Sequence, residues 1–282
     1  MDPGICGKMQ TGPPGAGHHD KGRQSTGMLL KQDFWFHHLN ANRPLHIRVP
    51  DVPGRFPVMY FFDGHNLFRD EDATYGKSWG LDAFCAGWDK QMIIVGMECA
   101  HEGNLRLSEY LPYGSGYGWL RGIQPLGEQT MQALICELKP YIDATFPTIP
   151  FRECTGIGGS SMGGLMAAYA LVRYNRYISK AACISPSLGS VSGKLWHEMN
   201  ETALSPDTRA FFSWGTMEGY GGVENPWEED RRSWLYRTNR TTANKIIARG
   251  GAAELYCQIG GRHCEADWEK QVPLFMPFLW QA

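Results

Sequence analysis

The sequence predicts an α/β fold, in which one mostly parallel, twisted sheet carries helices on both faces. Short apolar runs such as VMYFF and MIIVGM are typical of strands that are buried on both sides. Longer segments with helical spacing of apolar residues alternate with these runs. The chain has 282 residues, of which 43% are hydrophobic, so it is long enough to bury the core that such a sheet needs.

The strands are predicted from apolar and β-branched runs that turn residues interrupt. Two of them precede the first helix, and the others alternate with helices, which favours parallel pairing. The eight predicted strands are Leu29–His38, His46–Val49, Val58–Phe62, Met92–Met97, Cys154–Gly158, Lys180–Ile184, Ala210–Trp214 and Glu254–Ile259.

The helices are predicted from apolar residues that recur every three or four positions. This spacing runs from Met131 to Ile142, and we expect Pro140 to kink that helix. Three long connections show no regular periodicity, and each follows a strand at the edge where α/β sheets place their ligands. The other predicted helices are Gly163–Val172, Ser233–Ala248 and Glu265–Leu279, and the connections are 99–126, 186–208 and 219–231.

Residues 1–27 contain seven Gly and three Pro but almost no large apolar side chain. Such a segment cannot bury enough surface to offset its ordering entropy, so we expect a disordered tail. Alternatively, Met28 is the natural start and the upstream residues are a non-native extension. Residues 28–282 are predicted to form one domain.

Charge and composition exclude several classes of protein. The formal net charge is −2, from 27 Lys and Arg against 29 Asp and Glu, which argues against nucleic acid or an anionic membrane as the main partner. The eight cysteines are scattered without metal-finger spacing, so we expect reduced thiols. No leader-like or membrane-length apolar stretch is present, so we expect a cytoplasmic protein.

The motif with the clearest chemical meaning is Gly159-Ser160-Ser161-Met162-Gly163, which matches G-x-S-x-G. A predicted strand precedes it and a predicted helix follows it, as a nucleophile elbow requires. The elbow would raise the Ser161 hydroxyl above the sheet edge, while glycines let strand and helix approach closely. The sequence argues against a phosphate-binding loop, because the segment lacks the lysine and the glycine spacing of that motif.

A serine hydroxyl needs a base to remove its proton, and in this arrangement the acid and then the histidine follow the serine in the chain. His263 follows the last strand in a glycine-rich loop, whereas His197 has no strand directly before it. Glu218 follows the preceding strand and is the predicted acid. The alternative acids are Asp207, Glu224, Glu228, Glu229, Asp230 and Asp267.

The oxyanion formed during such a reaction needs two backbone N–H donors. We expect one from Met162 and the other from the loop at Gly64, in which His65 is predicted to be structural. No pair of histidines near the amino terminus has helical metal spacing with a carboxylate, so we expect neither a metal nor a cofactor.

The long connections contain aromatic side chains that either face the substrate or pack in loops and core: Trp79, Tyr117, Trp119 and Trp227. Arg106 and Glu109 are predicted to hold the first connection by an ion pair. The aromatic residues would suit a sugar or an aromatic group, and no strongly basic cluster indicates a trianionic ligand.

Taken in order, FFDGHNLF, YGKSWGLD, IIVGMECAHEGNLRLSEYLPY, GIGGSSMGGLMAAYAL, SWGTMEGY and GGRHCEADWEKQVPLFMPFLW resemble the esterase D/enterochelin-esterase-like family of α/β hydrolases. The resemblance extends from about residue 28 to the end and implies one α/β-hydrolase catalytic domain. By position it implies Ser161 as nucleophile, His263 as base and Glu218 as acid, with Gly64 and Met162 as oxyanion elements. A Glu stands where many α/β hydrolases have Asp.

The implied function is that of a serine carboxylesterase that hydrolyses a small-molecule ester through an acyl-enzyme intermediate. The expected substrate is an acyl ester of a carbohydrate or an ester of an aromatic acid. Three alternatives stay open: an acyltransferase with the same triad, a siderophore esterase, and a non-catalytic binding protein on a hydrolase fold. The oligomeric state is not readable from the sequence.

Overall fold

A computed structural model of the chain describes residues 27–116, 118–189, 191–218, 225, 227–229 and 231–280. Eight strands lie within these ranges, and each of the eight predicted strands overlaps one of them. They are β1 (Met28–Phe36), β2 (Ala41–Val49), β3 (Val58–Phe62), β4 (Ile93–Met97), β5 (Thr155–Ser160), β6 (Lys180–Ile184), β7 (Arg209–Gly215) and β8 (Ala252–Gln258). Of the predicted tail, residues 1–26 lie outside the described residues.

All eight strands form one sheet in the order β1-β2-β4-β3-β5-β6-β7-β8. The two amino-terminal strands make an antiparallel hairpin, and β2 also pairs antiparallel with β4. Every pairing from β4 to β8 is parallel. The prediction of a mostly parallel sheet is therefore confirmed, and the carboxyl ends of β3 to β8 meet along one edge.

The helices follow the strands in the order expected for α/β crossovers. No helix in the described part of the chain is long and apolar enough to cross a membrane. The helices are α1 (Leu81–Gly87), α2 (Leu105–Glu109), α3 (Gly127–Gln132), α4 (Lys139–Thr145), α5 (Met162–Arg173), α6 (Ser192–Glu201), α7 (Trp234–Ile247), α8 (Glu265–Trp268) and α9 (Val272–Trp280).

A continuous helix covers the predicted segment around Pro140, and its type changes along its length. A π-helical segment, Ala133–Leu138, joins α3 to α4 without a break, and Pro140 is the second residue of α4. Proline has no N–H to donate, and its ring crowds the carbonyl four residues earlier. The π-helical turns just before Pro140 are wider, so the helix accommodates this crowding without a break.

The expectation that 186–208 has no regular structure is wrong, because this connection contains α6. Only Leu195 and Met199 form the buried apolar stripe of that helix, so its periodicity is weak in the sequence. The first connection, 99–126, contains the short helix α2. Most of the third connection lies outside the described residues.

The core consists of one apolar layer on each face of the sheet. Along β3, Tyr60 packs in the layer with α3 to α7, and Phe61 packs in the layer with α1, α8 and α9. This period of two is what a strand buried on both faces requires. The prediction of helices on both faces is confirmed.

A close backbone contact near the carboxyl edge joins α5 to β5 and to the end of β6. A Cβ at Gly159 would lie only 2.7 Å from the Gly163 carbonyl carbon, and one at Gly164 would lie 2.8 Å from the Ile184 carbonyl oxygen. Real side chains do not fit at such separations, so glycine is required at both positions. The contact presses the start of α5 against the sheet.

We expect Gly159→Ala to lower the free energy of unfolding by about 1 to 3 kcal/mol, because the added methyl group meets backbone that cannot move aside. Urea denaturation monitored by circular dichroism measures this. The matched control is Gly193→Ala, since no atom lies within 4 Å of the position that its Cβ would take. Equal stability of the Gly159→Ala protein and the wild type would contradict the steric argument.

Candidate active site

Ser161 occupies the sharp turn between β5 and α5, with backbone angles φ 56° and ψ −119°. Its N–H donates to the Ile184 carbonyl at 3.0 Å, and its carbonyl accepts from Ser187 N–H at 2.9 Å. A non-glycine residue with positive φ is strained, and these contacts hold it in place. The strand–turn–helix context predicted around Ser161 is present.

Glu218 and His263 form a hydrogen-bonded pair across the carboxyl ends of β7 and β8. His263 Nδ1 lies 3.1 Å from Glu218 Oε2, and the carboxylate side chain is 3% exposed against 42% for the imidazole. An ionised carboxylate only accepts, so Nδ1–H donates to it and Nε2 keeps its lone pair. The pair therefore presents an imidazole that can accept a proton.

The second oxygen of Glu218 is also fully engaged. Oε1 accepts from Ser185 Oγ at 2.7 Å and from Gly215 N–H at 2.8 Å. The Trp268 indole N–H donates to the same Ser185 hydroxyl at 3.0 Å, and its ring lies edge-on to His263, with centroids 5.0 Å apart. These contacts fix both the carboxylate and the plane of the imidazole.

Ser161, Glu218 and His263 all line one cavity of about 820 Å³. Within the described part of the chain, Ser161 and His263 share this space without a direct hydrogen bond, and Ser161 Oγ lies 3.4 Å from Ser187 Oγ. The remaining lining residues are Trp119, Ser185, Pro186, Ser187, Gly189, Met217, Trp234 and Leu235.

The two predicted oxyanion residues lie near the turn but not among the described lining residues. Met162 is the first residue of α5, where helix N–H groups have no partner within the helix. Gly64 opens the 3-10 turn after β3, and a Cβ there would lie 2.5 Å from the Gly96 carbonyl carbon. A Cβ at Gly163 would lie 3.3 Å from Asp63 Oδ2, so the two elements adjoin.

The four predicted aromatic residues are placed differently from one another. Trp119 lines the cavity. Trp79 is 2% exposed and packs on Phe61, Trp268 and Phe275 in the core, so its expected place beside the substrate is corrected to core packing. Trp227 is 71% exposed and lies against Gly260, outside the described lining. Tyr117 lies outside the described residues.

Sequence reasoning missed Ser185, Ser187 and Trp234. The two serines follow β6, directly beside the serine turn in the sheet order, so the rule that strand ends meet at one edge could have found them. Trp234 is the first residue of α7 and packs against Gly189, and no local sequence pattern predicts this contact.

The alternative acids make other contacts. Asp207 pairs with Arg152, and Asp267 accepts from Lys270 and from the Arg262 N–H. Glu228 and Glu229 are described but are not among the cavity-lining residues. Glu224 and Asp230 lie outside the described residues.

Comparison with known families bears on this geometry. A model of the family described as "Putative esterase" matches residues 37–278. The chain belongs to this family. It is an esterase, an enzyme that hydrolyses carboxylic ester bonds, and the resemblance noted in the sequence is confirmed.

This esterase is similar in sequence to a protein of Bacillus subtilis and similar in fold to other esterases. "Uncharacterized protein YbbA" of Bacillus subtilis (strain 168) is 25% identical over 194 residues, which are 64% of this chain and 71% of that protein. A ferulic acid esterase superposes with a TM-score of 0.62 at 16% identity, over 91% of this chain and 98% of the other. The enterobactin esterase FES of Shigella flexneri gives 0.68 at 16% identity, over 90% and 59%.

An ion pair between the buried Asp63 and the half-buried Arg106 braces the loop after β3 in this esterase. Arg106 donates to both oxygens of Asp63, at 2.8 and 2.7 Å, and Asp63 N–H donates to the Tyr110 hydroxyl at 3.0 Å. Burial pushes the pKa of Asp63 up, but the charge and hydrogen bonds of Arg106 outweigh it and hold that pKa below its ordinary value. The predicted Arg106–Glu109 pair is wrong, because Glu109 pairs with Arg43.

Asp63→Asn is expected to lower the free energy of unfolding of the esterase by about 2 to 4 kcal/mol, because it leaves the half-buried Arg106 guanidinium without its buried counter-charge. Urea denaturation measures the loss. The control is Asp72→Asn, whose partner Lys31 is 54% exposed, and it should cost less than about 1 kcal/mol. Equal losses in the two variants would contradict the importance of burial.

Proposed function

We propose that this esterase is a serine carboxylesterase in which Ser161 is the nucleophile, His263 the general base and Glu218 the acid. The observation that carries the proposal is the buried, doubly held Glu218 carboxylate that orients His263 in the cavity of Ser161. A carboxylate in this position sets the imidazole tautomer and stabilises the imidazolium.

In the proposed mechanism, His263 Nε2 takes the Ser161 proton as Oγ attacks the ester carbonyl. The oxyanion is stabilised by N–H groups of Met162 and of the loop at Gly64. His263 then protonates the leaving alcohol and activates a water that releases the acyl group from Ser161. In this proposal the Ser161–His263 hydrogen bond forms when substrate fills the cavity, since catalytic contacts commonly close only in the substrate complex.

The proposed substrate is an uncharged ester with an aromatic acyl group. Trp119 and Trp234 border the cavity together with Met217 and Leu235, which offers flat apolar walls. None of the described lining residues is Lys or Arg, so an anionic siderophore finds no charge partner there. The ferulic acid esterase fold match agrees with this substrate class.

Ser161→Ala and His263→Ala are each expected to reduce kcat/KM on p-nitrophenyl acetate by at least about 10³-fold, because each removes a group that acts at the reacting atoms. Glu218→Gln should lose about 10² to 10⁴-fold, since the amide keeps the shape but disturbs the tautomer. Steady-state kinetics with circular dichroism on each variant provides the measurement. Wild-type rates in the Ser161→Ala enzyme would overturn the proposal.

Two further measurements address the alternatives. A fluorophosphonate probe should label the wild type and leave Ser161→Ala unlabelled, whereas a non-catalytic binding protein would not react at all. Product analysis with added alcohols should show free acid as the main product. Predominant transfer to the alcohol would identify an acyltransferase instead.

Substitution of the cavity tryptophans tests the acyl group. With p-nitrophenyl as common leaving group, Trp119→Ala and Trp234→Ala should each lower the feruloyl-to-acetyl ratio of kcat/KM by about tenfold, the equivalent of about 1.4 kcal/mol of aromatic contact. The control is Trp35→Ala, which lies on the far edge strand β1 and is 46% exposed. An unchanged ratio would contradict aromatic acyl recognition.

A further inference from the structure

A second group of polar side chains lies at the carboxyl ends of β3 and β4, separate from the serine cavity. His65 comes from the 3-10 turn after β3, and Glu98 and His101 follow β4. One nitrogen or oxygen atom from each of the three lies within 4.8 Å of the others. None of them is among the described residues that line the serine cavity.

The contacts within this His65–Glu98–His101 cluster are short. Glu98 Oε2 lies 2.9 Å from His101 Nε2, and the rings of His65 and His101 are 5.0 Å apart. The other oxygen, Glu98 Oε1, lies 2.6 Å from Nε2 of the buried His46. Two imidazoles and one carboxylate therefore converge, and a third imidazole holds the carboxylate from behind.

His65 has an unsatisfied ring nitrogen. The residue is only 7% exposed, and its Nε2 lies 2.8 Å from Thr74 Oγ1. Its Nδ1 is buried and has no hydrogen-bond partner among the described residues. A buried polar atom without a partner is unfavourable, so this nitrogen indicates a ligand that completes the cluster.

The outer contacts match those of a metal centre. A metal-bound histidine usually donates its other N–H to an oxygen, and Thr74 Oγ1 offers that acceptor to His65. A metal-bound carboxylate is likewise held by hydrogen bonds, and His46 provides one to Glu98. The unpaired Nδ1 of His65 is then the atom left for the ion.

The charges also favour a cation. Burial lowers the pKa of His65, and the negative charges of Asp63 and Glu98 oppose that shift, so two carboxylates act on this imidazole. Burial raises the pKa of Glu98, but hydrogen bonds from His46 and His101 lower it to about 2. Lys31 Nζ lies 4.0 Å from Glu98, yet it is 54% exposed and bonds to Asp72 at 3.0 Å.

We propose that His65, Glu98 and His101 bind one divalent transition-metal ion of the Zn²⁺ class. Two imidazoles and a carboxylate are a ligand set that Zn²⁺ prefers, and they leave a fourth position for water. Tetrahedral bonds of about 2.0–2.1 Å need ligand atoms roughly 3.4 Å apart. The His101 side chain, 59% exposed, can make the small closing movement.

This proposal departs from the expectation of no metal, which rested on spacing along the sequence. The three ligands come from two different strand ends, and no helical spacing relates His65 to the others. The ion would tie the turn that begins at Gly64 to the segment after β4, and so brace the loop beside the serine turn.

The test is isothermal titration of Zn²⁺ into the full chain after removal of metals with a chelator. We expect one Zn²⁺ bound per chain and a rise in melting temperature when Zn²⁺ is added. The affinity for Zn²⁺ should be at least about tenfold weaker in His101→Ala and in His65→Gln. The matched control is His197→Ala, an exposed histidine on α6, which should bind as the wild type does.

Circular dichroism checks that each variant folds, and His101→Ala replaces an exposed side chain, so its fold should persist. Mg²⁺ should not replace Zn²⁺ in the titration, because it prefers oxygen ligands. Absence of Zn²⁺ binding, or binding that is unchanged in His101→Ala, overturns the proposal. Neither result depends on ester hydrolysis, so it is independent of the proposed catalytic residues.

Discussion

The backbone contact between β5 and α5 is the constraint on which the site depends. With no side chain on Gly159 or Gly163, the helix starts directly against the strand, and the chain must reverse within one residue. That residue is Ser161, which therefore takes a positive φ. Its hydroxyl stands at the carboxyl edge because this strained turn lies between the end of β5 and the start of α5.

The parallel sheet then brings distant parts of the chain to this edge. The residues that hold Glu218 and His263 come from the ends of β6, β7 and β8, next to one another in the sheet. Ser185, with φ 44°, repeats the strained geometry of Ser161 one strand further along. The Ser185 hydroxyl accepts a hydrogen bond from Trp268 and donates one to Glu218, and these long-range contacts hold the strained residue in place.

The sequence predicted the sheet, its parallel pairing and the serine turn, because these depend on local signals such as apolar runs and glycines. It also indicated that Glu218 and His263 follow neighbouring strands, and the structure brings this pair together. It could not separate Trp79 from Trp119, since both are tryptophans in connections and only tertiary packing buries the first. The partners of Arg106 and the cluster around His65 escaped for the same reason: each joins segments that are far apart in the chain.

The length of the Glu218 side chain explains why a glutamate suits this turn. The turn after β7 is tight, with Glu218 N–H donating to the Gly215 carbonyl at 3.2 Å and Gly215 N–H donating back to Oε1 at 2.8 Å. One carboxylate oxygen thus closes its own turn while the other faces His263. Aspartate is one methylene shorter, so from the same backbone position its carboxylate would lie farther from His263. The glutamate side chain therefore matches the position that the turn gives the residue, and Ser185 and Trp268 complete its support.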